Sequence, residues 1–168
     1  MTAPARLARW IWAGPLAFAL HDSEEIATLA PWAGEHRSEL PALAQSLADL
    51  TTEQFALAVV CLLAGYLAAA WHGVRAVHSG RRPLPFLIVS GMFVGNGVTH
   101  VMQALYFREY VPGVVTAVLI SLPYGLILMT ILSQSRITSR ASFALLVLLG
   151  IGLQLPVTLL ALAAATRM

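Results

Sequence analysis

Apolar residues in this chain come in long, nearly unbroken runs rather than in the one-sided spacing of a helix that floats on a soluble core. Four runs, at 55–75, 84–107, 111–132 and 141–166, reach the roughly 20 residues needed to cross the hydrocarbon core of a bilayer. A fifth stretch, 7–29, is apolar in its first half and then breaks into His21-Asp22-Ser23-Glu24-Glu25. Pro15 interrupts it and no small-residue cleavage site precedes the charges, so it reads as a spanning helix rather than a removed signal peptide. The pattern predicts one all-α domain, a polytopic membrane helical bundle of five transmembrane helices.

Polar punctuation agrees with these spans. Thr51-Thr52-Glu53-Gln54 offers a threonine cap and an early glutamate for the second helix, Arg81-Arg82-Pro83 turns into the third, and Tyr110-Val111-Pro112-Gly113 turns into the fourth. The residues 133–142 form the last connection. Connections this short make sequential helices antiparallel neighbours. The longer connection, 30–52, reads equally as an amphipathic helix lying on the membrane surface and as an irregular connector. Gly91 and Gly95 form a small-xxx-small pair suited to a close helix contact, and Gln154 beside Pro156 reads first as repair of a kinked backbone and second as a cavity-lining group.

Composition strengthens the membrane reading: 58% of residues are hydrophobic and 11% charged, against about 25% charged in soluble domains. All the basic residues are arginine. Five alternating spans put Arg6, Arg9, Arg75, Arg81, Arg82, Arg136 and Arg140 on one side and Arg37, Arg108 and Arg167 on the other, which predicts a cytoplasmic N-terminus and a multi-pass protein of the cell inner (cytoplasmic) membrane. The 30–52 segment, with Glu35, Glu39 and Asp49, then lies outside. The net charge of +2 follows from that asymmetry, and no basic aromatic-rich patch supports nucleic-acid binding. The single Cys61 sits within an apolar run and allows no intrachain disulfide.

Ionisable groups inside spans are expensive, about 2.5 to 3.5 kcal/mol at a helix centre, and usually mark a site. On one helix His21, Glu24 and Glu25 share a face, with Asp22 and Ser23 turned away; in the third span Asn96, His100 and Gln103 do the same. Both stripes lie in the outer halves of spans running the same way, so they are expected to meet. Glu53 and Tyr110 lie near that level, whereas His72 and His78 fall at the opposite end of the second span. Trp10, Trp12 and Trp32 read as interfacial anchors.

His21-x-x-Glu24-Glu25, then Asn96-x-x-x-His100, then Tyr110-x-Pro112-Gly113, resembles in content and order the HXXEE family of small bacterial membrane proteins. The resemblance implies metal binding as a possibility for the family and no settled activity.

The residues themselves argue further. Two imidazoles and two carboxylates in a low-dielectric site match zinc or non-haem iron, and a divalent cation would neutralise carboxylates that have no lysine and only Arg37 and Arg108 nearby. The expected ligands are His21, Glu25 and His100, with Glu24 as a second carboxylate ligand or general base, Asn96 as orienting group or weak ligand, Tyr110 as proton or hydrogen-bond donor and Glu53 as a further metal ligand. A mononuclear site is more economical than a binuclear one, which usually draws more carboxylates from four helices.

The leading expectation is a membrane-embedded metal-dependent enzyme that oxidises or hydrolyses a lipid-like or other hydrophobic small molecule in contact with membrane lipids. The alternatives are a metal-free acid/base isomerase or cyclase and a proton or ion carrier; Ser90 is almost the only polar group in the inner halves of the first and third spans, which tells against the carrier.

Overall fold

A computed structural model describes residues 3–135 and 139–167; Arg136, counted above for orientation, lies outside the described residues. The fold is all-helical, with no strand among the described residues. Five long helices carry it: α1 (Ala3–Glu35), α2 (Thr52–His78), α3 (Leu84–Phe107), α4 (Val114–Gln134) and α5 (Arg140–Ala165). The last four are long and apolar enough to cross a membrane. Helix α1 is long enough, but its ionisable residues lower its hydropathy.

Helices α4 and α5, expected to be neighbours from the short 133–142 connection, are separated by α3: the helices close a ring in the order α1, α2, α5, α3, α4 and back to α1. Its filling is aromatic and aliphatic: Ile11, Tyr66, Phe86, Leu87, Phe93 and Leu128 form one core, and Phe55, Ala58, Val59 and Leu162 join α2 to α5 in a second. Outside the ring the side chains remain apolar. Leu16, Leu105, Leu119, Leu126, Leu145 and Leu160 are all largely exposed, an arrangement water would penalise and hydrocarbon would not.

In lipid the hydrophobic effect does not draw helices together, so close packing must. The glycine pair supplies it. A Cβ on Gly91 would meet the backbone of Val147, one on Gly95 would touch Ile151 at 3.4 Å, and one on Gly150 would run into the carbonyl oxygen of Ile88. Helices α3 and α5 therefore approach backbone to backbone, as the small-xxx-small spacing predicts.

Three boundaries differ from the sequence expectation. First, α1 does not end at residue 29 but runs through Pro31 to Glu35. Trp32 and His36 hold that extra turn, stacked on each other at 4.5 Å and set against Phe107 at the end of α3. Second, the 30–52 connection holds a short helix, as one of the two expectations had it, but a 3₁₀ helix, Ala42–Asp49, pinned by the two-point pair of Arg37 with Asp49 at 2.6 and 3.0 Å. Third, α4 starts at Val114 rather than 111, because Gly113 adopts φ of 82°, a left-handed conformation that closes the Tyr110–Gly113 turn before the helix opens. The cap of α2 is as expected in Thr51, but Gln54, not Glu53, completes the reciprocal capping box.

Helix α4 contains a widened turn, Ala117–Ser121, in which the Leu122 N–H reaches back to the Ala117 carbonyl. Pro123 follows at once, and a proline has no N–H and crowds the carbonyl four residues earlier, so the wide turn relieves that crowding.

Two expectations follow. Gly150→Leu should lower the thermal stability of the purified protein by about 1–3 kcal/mol through overpacking, whereas Gly152→Leu, whose added Cβ meets nothing within 4 Å, should leave the melting temperature unchanged. The His36–Glu109 pair, at 2.6 Å, ties the end of α1 to the α3–α4 turn. The Trp32 carbonyl and then the carboxylates of Glu109, Glu39 and Glu35 hold His36 above its ordinary 6.5. A raised histidine stabilises fully below 6.5 and loses its effect as pH climbs through the raised value. Amide exchange in this region should therefore quicken as pH rises above 6.5 beyond its intrinsic pH dependence, and His36→Gln should remove that excess.

Candidate functional site

The two polar stripes meet. His21, Glu25 and His100 each offer a donor atom, and these atoms all lie within 4.8 Å of one another. Helical spacing sets His21 and Glu25 on one face of α1, with His21 Nε2 3.6 Å from Glu25 Oε1. His100 comes from α3, its Nε2 2.5 Å from the same oxygen, and the two imidazoles stand edge to face at 4.9 Å. His21 is wholly buried, and His100 and the Glu25 side chain nearly so.

Both nitrogens of His21 have partners. Asn96 Nδ2 lies 2.9 Å from Nε2, and Thr116 Oγ1 lies 2.9 Å from Nδ1. Asn96 is oriented in turn by Gln154, whose amide nitrogen donates to Asn96 Oδ1 at 2.8 Å and whose oxygen lies 3.4 Å from the Thr99 hydroxyl. In this arrangement Asn96 donates to Nε2, so the proton of His21 sits on Nδ1 and is given to Thr116. His100 is the opposite case. Neither of its buried ring nitrogens has a hydrogen-bond partner of good geometry, despite the short approach to Glu25.

Glu24 does different work from its neighbour. Its Oε1 accepts from the Tyr110 hydroxyl at 2.8 Å and the Val115 N–H at 3.3 Å, and its Oε2 accepts from the Thr116 N–H at 2.7 Å and hydroxyl at 2.6 Å. Val115 and Thr116 belong to the first turn of α4, where N–H groups lack helical partners. Gly113 stands at the cap position with no side chain to offer, so α1 supplies the missing acceptor from across the bundle. Partial burial, and then the Glu24 carboxylate, hold Tyr110 above the ordinary phenol value, so it stays protonated and donating.

The Tyr110-x-Pro112-Gly113 turn thus touches the site twice. Tyr110 binds Glu24, and a Cβ on Gly113 would fall 2.9 Å from both Glu25 and the His100 ring. Only glycine lets the turn close over that pair.

Of the sequence-derived candidates, His21, Glu25, His100 and Asn96 come together. Glu24 and Tyr110 lie one step away with their polar atoms engaged at the α4 terminus, and Glu53 is exposed on the first turn of α2, outside the group. His78 bonds its own helix at the Val74 carbonyl, at the other end of α2. Arg37 is committed to Asp49, and no ion pair among the described residues brings an arginine to Asp22, Glu24 or Glu25.

Two residues carry more than the sequence reading gave them. Gln154, read first as a kink repair, reaches the site from α5 through Asn96, so the group draws on α1, α3, α4 and α5, with no α2 residue in it among the described residues. Asp22 is turned from the cluster as helical spacing requires, yet it is only 4% exposed and its Oδ2 has no partner. The signal for Gln154 was an amide in an apolar span; for Asp22 it was an acid in the middle of a spanning segment, whichever way it pointed.

These features define a class: an all-helical bundle with membrane-span-like helices and a buried histidine and carboxylate cluster near one end. The model for a family of proteins of unknown function with an HXXEE motif matches residues 12–128, and the chain belongs to that family. No curated protein and no solved structure matches the chain.

If Glu24 is the trans cap of α4, Glu24→Gln should lower stability by about 1.5–3 kcal/mol, the range for hydrogen bonds to a charged group. Thermal unfolding of the purified variant measures this; an unchanged melting temperature would refute the cap.

Proposed function

We propose that the chain is a membrane-embedded enzyme that uses one divalent metal ion, held by His21, Glu25 and His100, to oxidise or hydrolyse a hydrophobic, lipid-like small molecule. The observation that carries this reading is the state of His100: a buried imidazole with two unbonded nitrogens, crowded against a carboxylate that its geometry does not satisfy. Buried polar groups are ordinarily paired, and an ion among the three donor atoms would give one His100 nitrogen and the Glu25 carboxylate the partner they lack.

The donor set suits zinc or iron: two borderline nitrogens and one oxygen leave at least one position open for water or substrate. Metal-bound water reaches a pKa near 7, which would give a nucleophile at neutral pH. Asn96 fits the same scheme. If the Asn96 and Gln154 amides are both reversed, Asn96 presents its oxygen to the cluster and donates to Gln154, while Gln154 donates to Thr99, whose hydroxyl already has the Gly95 carbonyl at 2.9 Å. The network stays satisfied, and His21 Nε2 is freed for the ion.

The same reading makes α1 a fifth span, with the N-terminus cytoplasmic and the protein in the inner membrane. At 33 residues α1 is roughly 50 Å long, more than the bilayer needs, and its central acidic and histidine groups turn inward or onto α4 rather than outward.

A second reading draws on the bond from Asn96 to His21. With Nε2 already taken, the chain His21, Thr116, Glu24 can hold and pass a proton without metal, as an acid/base isomerase or cyclase requires.

Metal analysis of protein purified without chelators separates the two. The metal reading expects about one equivalent of iron or zinc, lost at least tenfold in His21→Ala and His100→Ala and retained in Glu53→Gln. A wild-type protein lacking stoichiometric metal, with neither histidine variant changing its content, would sink it.

A further inference from the structure

A cavity of about 300 Å³ lies beside the cluster, lined by α1, α2, α3 and α5. Its walls are apolar: Phe18, Phe55, Leu62, Val89, Met92 and Leu162 are among them. Among the polar groups that line it are Asp22, Glu25, Asn96 and Gln154. Three of these four are engaged elsewhere, Asn96 and Gln154 with each other and Glu25 with the histidines. Asp22 is not: its Oδ2 is buried and unpartnered.

Among the described residues no arginine or histidine lines the cavity, and the chain has no lysine. An anion placed there would meet two acidic side chains and no cation in a low-dielectric space. A purely apolar guest would leave Asp22 as it is. A guest with an apolar body and one hydrogen-bond donor would satisfy both the walls and the acid.

We propose that this cavity binds a small, mainly apolar molecule through a single donor head, a hydroxyl or an ammonium, hydrogen-bonded to Asp22, and that it excludes fatty acids and other anions. The binding stands on the walls and on Asp22 alone. That the guest is also the substrate of the cluster rests on the metal reading above, and follows from Glu25, which borders both the cavity and the histidines. The alcohol or amine carbon would then be the part of the molecule nearest the cluster.

The test uses purified full-length protein, probed by native mass spectrometry with decanol, decylamine and decanoate, three heads on one chain length. Two variants go with it. Gly65→Leu fills the cavity from α2, where an added Cβ meets nothing within 4 Å and a glycine is replaced by a better helix former. Asp22→Leu removes the acceptor.

Wild type should retain decanol and decylamine at least tenfold above decanoate. Gly65→Leu should lose that retention at unchanged melting temperature and metal content, and Asp22→Leu should lose the preference over decanoate. Decanoate held as well as decylamine, or Gly65→Leu binding undiminished, would overturn the proposal. Absent metal with intact, head-selective binding would overturn the metal reading and leave this one standing; absent binding with intact metal would do the reverse.

Discussion

A buried imidazole inside a membrane-type bundle has no water to turn to, so a nitrogen that finds no group on another helix is left unpaired at a cost. His21 meets that constraint with Thr116 of α4 on one side and Asn96 of α3 on the other, and Asn96 is fixed by Gln154 of α5. One side chain of α1 thereby ties four of the five helices. Such bonds are worth only about 0.6 to 2 kcal/mol each in membranes, because the separated helices also find partners. Their larger effect is directional. Apolar packing in lipid leaves a helix free to rotate, and a bond aimed at a particular nitrogen does not; the Gly91, Gly95 and Gly150 contact sets how near α3 and α5 lie, and the His21 network sets which faces they turn inward.

The family motif has a mechanical reading in these terms. Its first and last positions, His21 and Glu25, are four apart and share a face, which brings them to His100. Glu24, one residue earlier, is rotated by about 100° on a 3.6-residue helix and meets α4 instead. Two adjacent glutamates in sequence therefore perform separate tasks, one in the cluster and one capping a helix that Gly113 leaves open. Pro112-Gly113 is a turn, but its glycine is required by what lies beneath it, the Glu25 and His100 side chains.

Much of this was legible beforehand. The four apolar runs became four long helices because length and hydropathy suffice for that inference, and the meeting of the α1 and α3 stripes followed from equal depth on helices running the same way. What was not legible were contacts that depend on which helices become neighbours. Gln154 and the α5 contribution needed the ring order, which no local pattern contains. The run of α1 through Pro31 needed Phe107 and Glu109, distant in sequence, to hold Trp32 and His36. Asp22 was set aside because spacing turned it from the histidines; spacing gave its direction correctly, but not that a cavity would lie there.

Charge balance joins these observations. Three acidic groups stand within one turn of α1, and no arginine pairs with them among the described residues. Glu24 is offset by the N–H groups and dipole of α4, which amount to roughly half a positive charge. Glu25 is offset by two imidazoles, fully if one is protonated or if an ion sits among them. The Oδ2 of Asp22 has no hydrogen-bond partner among the described residues. A bundle that compensates two acids with its own backbone and side chains and leaves the third facing an apolar cavity is arranged for a guest that brings its own donor. Because Glu25 faces both the histidines and that cavity, any change in its partners alters the field in both compartments, so occupancy of one is expected to be felt in the other.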